Sequence, residues 1–114
     1  MRALSVTPDQ LIEFAQTLYG RKLETRSRKK AFTVGVKEPS GNQLKRMLVF
    51  TPLSSRKPRR QQWQHILSVI EKFNAASEND RLKAKTYGNN SINASYQLAL
   101  MVAYFDHLGH LTHG

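Results

Sequence analysis

The chain has 114 residues, 39 % hydrophobic and 23 % charged, with a formal net charge of +10. That length holds one domain, residues 1–114, with a real core, and it is too short for two. The composition is that of an ordinary globular domain, and the lack of any cysteine excludes disulfides, thiol nucleophiles and thiolate metal sites together.

The first element announces itself at Thr7-Pro8-Asp9-Gln10. Thr suits the N-cap, Pro the first helical position, Asp the positive helix end, and Gln the third residue of a capping box. Val6 and Leu11 stand where a hydrophobic staple would have them. Leu11, Phe14, Ala15 and Leu18 then share one face and Gly20 supplies a stop, which predicts a helix over 7–19. Residues 21–27 read as a short strand. Phe32, Val34 and Val36 alternate with Thr33, Gly35 and Lys37, the period of a half-buried strand. Glu38 to Asn42 is dense in turn formers, and Leu44 to Thr51 reads as a second strand, so the two should form an antiparallel hairpin.

Pro52 ends that hairpin. Trp63, Ile66, Leu67, Ile70 and Phe73 form one apolar stripe at helical spacing, which predicts a second helix over Lys57–Ala75 with Pro58 in its first turn. Leu82 to Thr86 alternates weakly and suggests an edge strand, before the loop Tyr87-Gly88-Asn89-Asn90. A last helix is expected over Ile92–Leu108, stopped by Gly109, with residues 107–114 a frayed tail. It is apolar almost all round, so it is either central to the core or shared with a second copy. The expected fold is α+β: an antiparallel sheet of two to four strands with a central hairpin, packed against three helices in the order α-β-β-α-(β)-α.

Charge is concentrated in one block. Residues 21–60 hold 13 of the 18 Lys and Arg and only two acids, Glu24 and Glu38. Such a block repels itself, a cost that a polyanionic partner relieves. Two groups stand out as nucleic-acid contacts. Ser54, Ser55, Arg56, Lys57, Arg59 and Arg60 fall at the expected mouth of the second helix, where unpaired N–H groups attract phosphate. Arg26, Arg28, Lys29, Lys30, Lys37, Lys45 and Arg46 belong to the hairpin and its flanks, and a basic ribbon can enter a groove. The first group also opposes the helix macrodipole, by roughly 0.3–1 kcal/mol per exposed charge.

Other chemistry is thinly signposted. His107, His110 and His113 have regular spacing but no carboxylate or cysteine beside them, a poor metal signature. The eight acids are scattered, whereas two-metal nuclease chemistry needs several converging. No phosphate loop, nucleophile elbow or dinucleotide fingerprint occurs. Phe32, Phe50 and Trp63 read as core; Tyr19 and Tyr87 are the aromatics most free to be functional, and nothing makes either specific. In element order, residues 7–75 look loosely like a double-stranded-RNA-binding domain, in which a lysine-rich helix start grips phosphates. The resemblance would put Arg56, Lys57, Arg59 and Arg60 at that start. The chain departs from it at Trp63-Gln64-His65-Ile66-Leu67, where an alanine-rich helix is usual.

The expectation is therefore a non-enzymatic, cytoplasmic nucleic-acid-binding protein, with duplex DNA favoured over RNA and no cofactor. Its homodimer would form through the last helix. Two alternatives stay open: a small metal-independent ribonuclease using His65 beside Arg59 and Arg60, and a docking protein for an acidic partner.

Overall fold

The structure is a computed structural model that describes residues 6–25, 29–41, 44–77, 79–81, 83, 86–87 and 91–113, the backbone alone for 91–92 and 109–113. It is α+β, as expected. Three helices, α1 (Pro8–Thr17), α2 (Trp63–Ala75) and α3 (Ser91–His113), accompany four strands: β1 (Lys22–Glu24), β2 (Ala31–Lys37), β3 (Met47–Pro52) and β4 (Arg59–Gln61). The strands form one antiparallel meander in the order β1-β2-β3-β4, each pairing only with its neighbours in sequence.

Helix α1 forms as its sequence dictates. The Gln10 N–H donates to Thr7 Oγ1 at 3.1 Å, and the Thr7 N–H donates to Gln10 Oε1 at 2.9 Å. That reciprocal pair satisfies two N–H groups that the helix itself leaves without partners. Val6 and Leu11 are both buried. At the far end Gly20 takes φ +78°, a backbone conformation that costs glycine nothing, and the chain leaves the helix there.

The second half of the basic block departs from expectation. Helix α2 begins at Trp63, not Lys57, and its N-cap Gln62 makes no side-chain capping bond. Residues 53–55 form a turn, and Arg59–Gln61 pairs with β3 as an edge strand, Leu48 against Gln61 and Phe50 against Arg59. The element order becomes α-β-β-β-β-α-α, and the group from Ser54 to Arg60 does not stand at a helix mouth. The physical reason is Pro58. It disfavours a helical conformation at Lys57, and nothing apolar between Lys57 and Gln62 rewards a helix against the core. The likeness to a double-stranded-RNA-binding domain loses its phosphate-gripping helix start on the same ground. β3 starts at Met47 rather than Leu44, after the turn in which Gly41 takes φ +60°. In the stretch 82–86, residues 82, 84 and 85 lie outside the described residues, and Thr86 and Tyr87 form a helical turn, not a strand. Helix α3 runs through Gly109 to His113, because a glycine lowers helix propensity without ending a helix.

All three helices contribute to a core on one face of the sheet. Phe32, Val34, Leu48 and Phe50 point into it, joined by Leu11, Ile12, Ile66, Phe73, Tyr96, Leu100 and Met101. Tyr96 of α3 sits over the sheet, its ring centroid 4.9 Å from Phe32 and 5.5 Å from Phe50. Phe32 and Phe50 are thus core, as their alternation predicts. Tyr87 is not exposed: it is buried, its hydroxyl donates to the Arg81 carbonyl at 2.5 Å, and burial pushes its pKa up to about 12. Most apolar residues of α3 between Ala94 and Met101 are spent on this core. Among the described residues, no helix is long and apolar enough to cross a membrane.

Candidate nucleic-acid interface

Alternation along the strands sorts side chains to two faces. Because Val34 pairs with Phe50 and Phe32 with Pro52 on the inner face, the outer face carries Thr33 opposite Thr51, Gly35 opposite Val49, and Lys37 opposite Met47. β1 adds Lys22 beside Thr33, and β4 adds Arg60 beside Val49. Ala31, Thr33, Gly35, Lys37, Val49 and Thr51 are all partly exposed although they lie on the two central strands. Among the described residues the helices pack on the other face; Met47, at one end of this one, is the buried exception. A Cβ built on Gly35 would meet nothing within 4 Å. Among the described residues the meander thus has a packed face and a bare one.

The loops place the cations at the two ends of this bare face. At one end lie the β1–β2 and β3–β4 connections. Thr25 and Lys30 close the first: the Thr25 N–H donates to the Lys30 carbonyl and the Lys30 N–H to Thr25 Oγ1, each at 3.0 Å. The second is tied to the same end by the Leu53 N–H, which donates to the Ala31 carbonyl at 3.1 Å. Lys29, Lys30, Arg56 and Lys57 are exposed there, with no ion-pair partner among the described residues. Lys29 and Arg56 have φ of 50° and 57°, the left-handed region that costs a side-chain-bearing residue about 1–2 kcal/mol. Ser54 and Ser55 are both exposed in the turn, and the Ser55 hydroxyl accepts from the Lys57 N–H at 3.3 Å. Arg26 and Arg28 lie outside the described residues.

The opposite end differs. Arg46 pairs with Asp9 at 3.5 Å and is three-quarters covered, and Lys45 holds its ammonium 4.8 Å from the centre of the Trp63 ring. These cations stitch the hairpin to α1 and α2. Lys37 is partly exposed, without an ion-pair partner among the described residues. The single basic block of the sequence is therefore two groups, one solvated and one partly engaged in holding the fold.

Comparison with protein-family models, with curated proteins and with solved structures gives no match.

On edge strand β4, Arg59 Nε donates to Asn93 Oδ1 at 3.3 Å, and Arg60 lies in solvent on the bare face. Between them and the core, Gln61 and Gln97 are fully buried. Gln97 Nε2 donates to the Ile66 carbonyl at 3.1 Å, and Gln61 Nε2 donates to Gln97 Oε1 at 2.7 Å. Gln61 Nε2 also lies 3.0 Å from His65 Nδ1. Burial, and then the charge of Lys72, lower the His65 pKa. His65 is thus built into a buried amide network beneath β4. Among the described residues no three His, Asp or Glu side chains gather as metal ligands would.

The residues that sequence reasoning missed are Lys22, Thr33, Gly35, Val49 and Thr51. The signal existed for two of them: the same alternation that puts Phe32 and Val34 inside puts Thr33 and Gly35 on one outward face with Lys37. That this face is bare depends on where three helices dock, which local pattern does not encode.

Proposed function

We propose that this protein binds duplex nucleic acid without chemically altering it, with DNA favoured over RNA. One observation carries the reading: a sheet with all its helices on one face and a bare, basic-rimmed face on the other. Lys29, Lys30, Arg56 and Lys57 reach phosphates from one end of that face, with Arg26 and Arg28 in the same connection. Lys22 and Arg60 do so from its sides. Lys37, Lys45 and Arg46 act at the other end, where the last two also hold the fold. Single strands suit the face poorly, because Phe32 and Phe50 are buried and, among the described residues, no aromatic platform lies on it for bases to stack on. Duplex RNA suits it less than DNA, since the A-form major groove is too narrow for side chains to read. A cytoplasmic location and pairing of two copies through α3 belong to the same proposal.

The test is a salt titration of binding to labelled duplex DNA, duplex RNA and single strands. With six to ten phosphate contacts, affinity for duplex DNA falls by ~10³–10⁵ between about 50 and 200 mM salt. A duplex affinity that hardly moves with salt overturns the reading, and so does equal, weak binding to every form and to heparin.

A further inference from the structure

The bare face is not uniformly basic, and its pattern says more than a charge total does. Its centre is small and uncharged: Ala31, Thr33 and Gly35 on β2, Val49 and Thr51 on β3. Its charges stand at the margins, with Lys22 on one edge strand, Arg60 on the other, Lys29, Lys30, Arg56 and Lys57 at one end and Lys37 at the other. Glu24, opposite Ala31 at the end of β1, is the one acid on that face among the described residues. A surface shaped to lie on a row of phosphates would carry its cations in the middle. This one is shaped to let something neutral approach the middle while anions flank it.

From this arrangement we infer that the outer face of the sheet lies in the major groove of duplex DNA, with β2 and β3 against base edges, Gly35 at the point of closest approach, and the edge-strand cations on the two phosphate walls. The inference rests on the duplex-binding proposal and adds the groove and the reading residues. The dimensions agree. Strands about 4.8 Å apart put β1 and β4 roughly 14 Å from each other, and the major groove is ~12 Å wide and admits a two-stranded ribbon. The central pair therefore enters, and the short outer strands meet the walls. The chemistry agrees as well: threonine hydroxyls donate to or accept from base edges, and an apolar side chain such as Val49 contacts a thymine methyl. Gly35 fits the same role. A glycine inside a central strand weakens the sheet and often marks a place where another molecule's atoms come close, and a Cβ built here meets nothing within 4 Å among the described residues.

Gly35→Val makes the decisive variant. The added side chain has open space in the unbound protein and suits a strand, so the melting temperature should hold or rise. Duplex DNA binding should weaken by about tenfold or more with an unchanged salt slope, since no phosphate contact is lost. Unaltered affinity in a folded Gly35→Val protein overturns the inference and leaves phosphate gripping intact. A parallel measurement needs no variant: the intact protein is displaced from duplex DNA by the major-groove ligand methyl green and not by the minor-groove ligand netropsin. Displacement by netropsin alone overturns the groove assignment. A protein that binds no duplex at all removes both this inference and the proposal beneath it.

Discussion

The Ile66 carbonyl can only accept a hydrogen bond, and that fixes proton positions along three side chains. Gln97 must turn its amide N–H to it, so Gln97 Oε1 accepts from Gln61, and Gln61 presents its second N–H to His65 Nδ1. His65 therefore keeps its proton on Nε2, and protonating Nδ1 would set two donors face to face. This adds to burial and the Lys72 charge in lowering its pKa. The ordinary value of 6.5 applies in the unfolded chain, so the unfolded state takes the proton first. Stability from neutral His65 is complete above about pH 6.5 and drains away as pH falls through the lowered folded value. Thermal melts from pH 8 down to 5 should show that decline, and His65→Gln should flatten it; an identical pH profile in the variant would refute the linkage. Gln97→Leu strands the Ile66 carbonyl and the Gln61 amide, and denaturant unfolding should register a loss on the order of 1–3 kcal/mol.

Among the elements, the β1–β2 and β3–β4 connections each hold a basic residue in the left-handed region. Lys29 and Arg56 stand where Asn or Gly would be cheaper. If their charge is what the positions serve, Lys29→Asn and Arg56→Asn should keep stability or raise it by up to about 1 kcal/mol. Each should also make the salt dependence of duplex binding shallower by about one. Lower stability with unchanged binding would assign the two residues to folding instead. Elements differ in how plainly the sequence announces them. Helix α1 was legible to its cap because a capping box is a local contract between Thr7 and Gln10. β2 was legible because burial on one face alone imposes a period of two. β4 was not, since Arg59-Arg60-Gln61 has no apolar alternation and is a strand only through its pairing with β3. The start of α2 was misplaced for the same reason: the polar run before Trp63 carries no periodicity, and only Pro58 argued against a helix. The cations were legible as a group, but not their division into solvated ones and those spent on Asp9 and Trp63.

Over the whole molecule, a charge of +10 on 114 residues penalises compactness through self-repulsion. Salt screens that repulsion, and a bound polyanion removes it, so the melting temperature should rise with ionic strength in the free protein. It should rise further with duplex DNA in excess. A ligand at a hundred times its dissociation constant adds about 2.7 kcal/mol, a shift on the order of 10 °C for a domain of this size. A melting temperature indifferent to both would mean that the charges are too well spaced to repel and that no duplex is bound.

The meander also sets a timetable. Each strand pairs with the one just made, so the sheet can zip from β1 to β4 while the chain is still being synthesised, with only short loops to close. Its apolar side cannot be sealed on that schedule. Phe32 and Phe50 wait for Tyr96, and Gln61 waits for Gln97, both carried by α3, which follows the sheet in the chain. Until α3 arrives, only α1 and α2 cover the inner face, and the aromatic pair Phe32 and Phe50 stays unsealed, a temptation for any sticky neighbour. A chain stopped short of Ser91 would keep that pair unsealed for good, a substrate for chaperones and proteases rather than a smaller version of the protein.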